Sequence, residues 1–181
     1  MTLSPDDSRP YKLRAWLYSD LDQFDNAIAD YTEAINRDTE NPTSYRRRGN
    51  EYYHHEQIDQ ALADYTKAIE LNSSDADYYE DRGFTYIALE RYDEAIADFD
   101  KAIELDPNYA NPYKHRGVAL NHLGRYDEAL RDLNKAIELK PDYQKAYTAR
   151  AEVLRKLEQP EKAQADEQKV KDLEEDNSPE T

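Results

Sequence analysis

The fold is decided by residues 76–109, which read ADYYEDRGFTYIALERYDEAIADFDKAIELDPNY. Apolar and small side chains recur in this stretch at steps of three and four, as they do on one face of a helix. The first such stripe comprises Tyr79, Arg82, Gly83, Tyr86 and Leu89. The second comprises Ala95, Ile96, Phe99, Ala102 and Ile103. A turn near Glu90 separates the stripes, and Pro107 ends the second because proline cannot continue a helix. The stretch therefore predicts a helix–turn–helix.

The same pattern occurs five times at a spacing of 34 residues, without insertion or deletion. Two of the positions in register are Tyr11, Tyr45, Tyr79, Tyr113 and Tyr147, and Ala27, Ala61, Ala95, Ala129 and Ala163. A repeat of this length indicates stacked supersecondary units, none of which buries its apolar face alone. The array is expected to occupy residues 8–175, in units 8–41, 42–75, 76–109, 110–143 and 144–177. Residues 1–7 are expected to be flexible, and the acidic tail 176–181 to be disordered.

Composition narrows the classes of function. The 181 residues include 40 acidic and 24 basic side chains, for a net charge of −16. This balance argues against nucleic acid as a partner, because affinity for nucleic acid comes mainly from neutralising phosphates. The absence of cysteine excludes disulfides and sulfur-ligated metal. The first residues lack a secretory signal and no segment predicts a membrane span, so a cytoplasmic protein is expected. A chain whose signal had been removed would look the same.

The pattern Tyr-x-x-Arg-Gly-x-x-Tyr, followed by Tyr-Asp-Glu-Ala-Ile-Ala-Asp-Phe-x-Lys-Ala-Ile-Glu-Leu-x-Pro, resembles the tetratricopeptide repeat in its bacterial form. The resemblance covers residues 8 to about 175. It implies an all-α fold, a right-handed α-solenoid whose first helices line a concave groove that holds peptides or partner proteins. The chain departs from the pattern in the last unit, where Gln164, Glu167 and Lys171 replace apolar residues. A polar second helix there predicts a terminal cap.

Every unit also carries an arginine in the first helix and an aspartate sixteen residues later in the second. They are Arg14, Arg48, Arg82, Arg116 and Arg150, with Asp30, Asp64, Asp98, Asp132 and Asp166. We expect these residues to pair, within a unit or across the joint to the next, because arginine suits bidentate contact with a carboxylate. The alternative is two independently solvated charges.

Helical phase identifies the first-helix residues that would face the groove. The candidate partner-binding residues are Arg46, Arg47, Asn50, Tyr53, His54, Glu80, Asp81, Phe84, Lys114, His115, Asn121, His122, Lys145 and Arg155. They vary between units while the framework stays uniform, as expected of a recognition surface, although an unconstrained surface varies in the same way. Basic side chains at Arg46 and Arg47, and again at Lys114, Lys145 and Arg155, favour an acidic or C-terminal peptide as the ligand. Asp77, Glu80 and Asp81 divide these basic regions and argue against a uniformly acidic ligand.

The first unit contains the only tryptophan, Trp16, with Leu13 and Leu17 close by. No earlier repeat covers this end of the array, and tryptophan is enriched at binding hot spots. The patch is therefore a candidate for self-association, giving a weak homo-oligomer. The alternative is that Leu3 and Pro5 fold back over it.

No reaction chemistry is indicated. The spacing of His54, His55, His115 and His122 does not bring two of them together on one ion. There is no glycine-rich phosphate loop, and no nucleophile–base pair is suggested by spacing. We expect a non-catalytic protein-interaction adaptor, scaffold or assembly factor without a metal or cofactor. Two alternatives are a structural spacer that self-associates through its first repeat, and the targeting arm of a larger enzyme.

Overall fold

The computed structural model describes residues 7–176, and within that range it contains ten α-helices and no strand. The helices are α1 (Arg9–Asp20), α2 (Phe24–Arg37), α3 (Pro42–His54), α4 (Ile58–Leu71), α5 (Ala76–Ala88), α6 (Tyr92–Leu105), α7 (Ala110–His122), α8 (Tyr126–Leu139), α9 (Gln144–Lys156) and α10 (Pro160–Asp176). The all-α helical-repeat solenoid predicted from the sequence is confirmed. The predicted flexible residues 1–6, with Leu3 and Pro5, and the tail residues 177–181 lie outside the described range.

The chain forms two compact parts, an N-terminal block ending at Thr85 and a C-terminal block beginning at Tyr86. In the N-terminal block α1 packs on α2, α2 on α3, and α3 on α4. In the C-terminal block the same alternation joins α6 to α7, α7 to α8, α8 to α9, and α9 to α10. Helices α3, α7 and α9 are first helices of their repeats, and each packs against its own second helix and against the second helix before it. None of the helices described between residues 7 and 176 is long and apolar enough to cross a membrane.

Small residues allow the paired helices to approach closely. Ala61 and Ala129, in second helices, are completely buried. A Cβ atom added to Gly117 of α7 would lie 2.8 Å from Leu133 Cγ and 3.3 Å from the Ala129 carbonyl oxygen. At Gly49 of α3 the added atom would lie 2.9 Å from the ring of Tyr65. The two glycines are therefore required by packing, although a glycine inside a helix costs roughly 1 kcal/mol relative to alanine.

The two helices of each repeat are joined by a turn that contains one residue with positive φ. The residues are Asp22, Glu56, Glu90, Gly124 and Glu158, with φ between 56° and 73°. In each turn the following N–H donates to the carbonyl five residues earlier, as Gln57 does to Tyr52 at 2.8 Å. This is the Schellman motif, which satisfies carbonyl groups left open at a helix C-terminus.

The predicted arginine–aspartate pairs are present within both blocks. Arg48 donates from Nε and Nη2 to the two carboxylate oxygens of Asp64, each at 2.8 Å. Arg116 and Asp132 form the same bidentate pair at 2.7 Å. The remaining nitrogen reaches the preceding repeat, since Arg48 Nη1 donates to Thr32 Oγ1 at 3.0 Å. The arginine therefore pairs within its own repeat and also crosses the joint.

The preceding repeat shields these pairs from solvent. The Arg48 and Arg116 side chains are 16% and 21% exposed, whereas Arg14 of the first repeat is 56% exposed. Arg14 still pairs with Asp30, at 2.5 and 2.7 Å. The bond geometry is thus similar in the three repeats, while desolvation differs.

We predict that Arg116→Met lowers the free energy of unfolding by about 3–5 kcal/mol, because the buried carboxylate of Asp132 loses its partner. The double variant Arg116→Met with Asp132→Leu should recover much of this loss. Urea denaturation followed by circular dichroism measures both.

Arg14→Met is the matched control and should cost less, because the arginine of that pair is already half exposed. Strictly additive effects of the two substitutions at Arg116 and Asp132 would contradict direct pairing.

Candidate functional site

The first helices α3 and α5 carry the candidate groove residues of the N-terminal block. Arg46 of α3 donates from Nε to Asp81 Oδ2 at 2.5 Å and from Nη1 to Asp77 Oδ2 at 2.8 Å. Its side chain is only 23% exposed, and its guanidinium carbon lies 5.9 Å from the ring centroid of Tyr78. Arg46 is therefore held between two carboxylates of the next first helix.

The carboxylates around Arg46 outnumber it. Burial raises the pKa of Asp81 to about 6, and the charges of Glu80 and Asp77 add to the rise while Arg46 opposes it. Glu80 is itself buried. Arg46 thus lies near three carboxylates and pairs with two of them, Asp77 and Asp81.

Aromatic side chains lie beside this cluster. The rings of Tyr53 and Phe84 are 5.5 Å apart, and Tyr53 is 5.9 Å from His54. Phe84 and His54 are exposed. The hydroxyl of Tyr65 donates to Asn50 Oδ1 at 2.8 Å, so Asn50 is tied to the second helix α4.

Among the candidate residues on α3, Arg47 is the exposed basic side chain. Arg46 sits one position earlier but is engaged by Asp77 and Asp81. In the N-terminal block the structure thus brings Glu80 and Asp81 next to Arg46, while Arg47 is left facing solvent.

The candidate residues of the C-terminal block are distributed differently. Lys114 and His115 of α7 are buried. The Lys114 ammonium lies 5.7 Å from the ring centroid of Tyr143, whose hydroxyl donates to Asn111 Oδ1 at 2.8 Å. The ring of His115 stacks on Phe99 at 5.7 Å.

The remaining candidates in this block are more accessible. His122 is exposed and its ring stacks on Tyr92 at 4.7 Å, with an angle of 8° between the planes. Asn121 is partly buried, and Lys145 is exposed. Arg155 is 55% exposed and forms an ion pair with Glu167 of α10. Lys145 is therefore the accessible cation least committed to a neighbour.

One residue that contributes to the site was not among the candidates. Tyr143 lies under the ammonium groups of Lys114 and Lys140, which are 5.7 and 5.1 Å from its ring centroid. Asp77, which helical phase placed on the same side as Glu80 and Asp81, pairs with Arg46. Tyr143 precedes α9 and carried no such signal.

Within residues 7–176, no three histidine, aspartate or glutamate side chains converge in an arrangement that could hold a metal ion. The groove surfaces of both blocks instead combine charged, aromatic and amide side chains. Such a combination is suited to holding a polypeptide by hydrogen bonds and side-chain packing.

Comparison with known proteins agrees with this geometry. Three family models described as tetratricopeptide repeat match residues 9–41, 46–110 and 85–155. No curated protein matches the sequence.

Several solved structures are similar in fold. A crystal structure of MamA is 23% identical, with a TM-score of 0.81 over 93% of this chain and 92% of that one. A MamA structure covering residue 41 to the end, from Desulfovibrio magneticus RS-1, is 15% identical, with a TM-score of 0.86 over 98% and 99% of the two chains. YrrB, a TPR protein with an unusual peptide-binding site, is 27% identical, with a TM-score of 0.74 over 95% and 89%.

Protonation of Asp81 should make part of the folding stability depend on pH. Its folded pKa of about 6 exceeds the unfolded value of about 3.9, so the folded state binds more protons between these values. The contribution of protonated Asp81 to the free energy of unfolding is therefore fully present below pH 4 and is lost as the pH rises through 6. From pH 4 to 7, the free energy of unfolding of Asp81→Asn should therefore rise by roughly 1–3 kcal/mol relative to the wild type.

Urea denaturation at a series of pH values measures this difference. Asp59→Asn removes an exposed carboxylate of α4 and should show no comparable pH-dependent difference from wild type. A difference between Asp81→Asn and wild type that did not change with pH would rule out the raised pKa.

Proposed function

The chain belongs to the tetratricopeptide repeat family, and we propose that it is a non-catalytic interaction protein that holds a segment of a partner along the groove side of its first helices. The observation that carries this proposal is the contrast between framework and groove. Gly49 and Gly117 occupy the same buried position and make the same close contact. The groove positions of the same two helices differ, as with the partly exposed Tyr53 of α3 and Asn121 of α7.

The charges of the two blocks favour different parts of a ligand. In the N-terminal block Arg46 is already engaged by Asp77 and Asp81, so it has little capacity for a ligand carboxylate. In the C-terminal block Lys145 of α9 is exposed, whereas Lys114 of α7 is buried. We propose that an acidic segment or a C-terminal carboxylate is engaged by the C-terminal block, through charge-assisted hydrogen bonds. The peptide-binding site of YrrB supports a peptide as the ligand.

We predict that an acidic peptide with a free C-terminus binds the full chain and that Lys145→Glu weakens it at least tenfold, the change expected from replacing an attractive charge by a repulsive one. Fluorescence anisotropy with a labelled peptide, at low and high salt, measures the affinity. Binding should weaken with salt, because the contact is near the surface.

Thr148→Ala, at an exposed uncharged position on the same helix, is the matched control. Arg46→Ala should have a small effect and Arg47→Ala a larger one, because only Arg47 is exposed. Equal affinity for a basic peptide of the same length would rule out the proposed ligand class.

A second candidate function is self-association through the first repeat. Leu13, Trp16 and Leu17 of α1, and Leu21 just after it, are 67%, 54%, 51% and 63% exposed. One repeat later the residue equivalent to Leu17 is Glu51, which is buried and accepts a hydrogen bond from Ser19 at 2.7 Å. Leu17 is thus exposed at the position through which α3 contacts the preceding repeat.

The proposed occupant of this face is the same face of a second copy. The opposite end of the array is polar, since Gln164, Glu167 and Lys171 are exposed or partly exposed on α10. The apolar patch of one copy is therefore better matched by the same patch of a second copy than by the polar helix α10. Pairing of identical patches gives a closed dimer.

We predict a dimer that dissociates on dilution and is abolished by Trp16→Asp, because a charge at the centre of an apolar contact must be desolvated. Light scattering during gel filtration, over a wide range of concentrations, measures the mass. Phe84→Asp places the same charge on an exposed aromatic outside the patch and should leave the dimer intact. A monomer at every concentration would exclude this second function.

A further inference from the structure

An open cavity of about 330 Å³ lies at the surface of the C-terminal block, among helices α8, α9 and α10. Three of its lining residues, Asn134, Lys162 and Ala165, are exposed to solvent. Its apolar lining comes from Leu130, Leu154 and Ala165, one residue from each helix. Its polar lining is Asn134, Arg150, Lys162 and Asp166. None of these residues belongs to the groove, and the volume is at the lower end of the roughly 300–1,000 Å³ found for small-molecule sites.

Comparison of the lining residues with the equivalent residues one repeat earlier shows which features are particular to this cavity. The repeat one step earlier keeps the arginine–aspartate pair and the apolar character of the lining, with Arg116, Asp132, Ile96 and Leu120 at the equivalent positions. The other equivalents are Asp100 for Asn134, Glu128 for Lys162, and Arg131 for Ala165. Two carboxylates are therefore replaced by hydrogen-bond donors, and a long side chain by a methyl group. The first two changes favour an anion, and the third makes room for it.

The hydrogen bonds of the cavity leave donors for a ligand. Arg150 donates to both carboxylate oxygens of Asp166, at 2.6 and 2.8 Å, and from Nη1 to Asn134 Oδ1 at 2.6 Å. Since Asn134 accepts through its oxygen, its NH₂ group remains to donate. Lys162 donates to the neutral Gln159 Oε1 at 2.7 Å and has two further N–H groups.

The charges of the lining residues also favour an anionic ligand. The carboxylate of Asp166 faces the cavity, but Arg150 matches its charge in a bidentate pair. Lys162 then supplies the excess positive charge of the lining. The cavity offers apolar surface together with a cation and an amide donor, so its complement is an apolar chain that ends in an anionic acceptor.

We propose that this cavity binds a short aliphatic carboxylate, with its chain against Leu130, Leu154 and Ala165 and its carboxylate accepting hydrogen bonds from Lys162 and Asn134. The site is separate from the groove. It does not depend on the partner-binding function, because none of its residues takes part in that proposal.

The test is a titration of the full-length protein with hexanoate, followed by ¹H–¹³C NMR of the methyl groups of Leu130, Leu154 and Ala165. We expect saturable shifts at these methyls, with a dissociation constant of about 1 mM or tighter. Hexanol and hexylammonium have the same chain and should bind at least tenfold more weakly, because they lack the anionic acceptor.

The variants are taken from the equivalent positions one repeat earlier. Lys162→Glu, Asn134→Asp and Ala165→Arg each introduce the residue that the fold already accommodates one repeat earlier, and each should weaken hexanoate binding at least tenfold. Glu161→Lys, an exposed neighbour of Lys162 that does not line the cavity, should not weaken it.

Two results would overturn the proposal. One is the absence of saturable shifts at the three methyls with hexanoate. The other is equal affinity for hexanol, which would mean that only apolar surface is recognised. Both are read from the wild-type chain, so they stand even if a variant fails to fold.

Discussion

The structure depends on a guanidinium that bridges neighbouring helices in the second, fourth and fifth repeats. In the fifth, Arg150 is anchored to its own second helix through the bidentate Asp166 and to the preceding second helix through its remaining nitrogen, which donates to Asn134. It also lies near the tyrosine three residues earlier, 5.4 Å from the ring centroid of Tyr147. A single side chain thus fixes both the angle within a repeat and the register between repeats.

The same framework carries different charged side chains in its two blocks. Arg46 pairs with the carboxylates of Asp77 and Asp81, whereas the ammonium groups of Lys114 and Lys140 lie 5.7 and 5.1 Å from the ring centroid of Tyr143. The buried glycines and alanines and the partly buried arginines recur from repeat to repeat, so the residues that pack the helices differ from the candidate groove residues.

The sequence predicts the fold well because its signals are periodic. The spacing of apolar residues, the proline at the end of the second helix and the constant period give the helix pairs and the arginine–aspartate pairing. The turns were less predictable, because Glu56 and Glu158 adopt a positive φ that is usual for glycine. Helical phase predicts a groove position for Lys114 but not its burial, nor the approach of its ammonium to 5.7 Å from the ring centroid of Tyr143, a residue outside the helices that were considered.

The candidate site was less predictable than the fold, because it depends on side-chain rotamers and packing that periodicity does not specify. Phase gives the face of a helix but not the rotamer of a long side chain, so the engagement of Arg46 by Asp81 could not be read from the sequence alone. The cavity beside Lys162 depends on the combined size of three side chains, Leu130, Leu154 and Ala165, on three different helices. Such features appear only once the packing is known.

The exposure of Arg14 has a consequence for how the array opens. In a repeat protein, local unfolding starts at the repeat that has the least contact with its neighbours. A repeat at the end of an array contacts one neighbour instead of two. Arg14 of the first repeat is half exposed, so its ion pair is less shielded from water than that of Arg48 in the second repeat. We therefore expect amide protons of α1 and α2 to exchange faster than those of α3 and α4. If a second copy covers Trp16, that fraying is suppressed, and the order of the first repeat becomes a function of protein concentration.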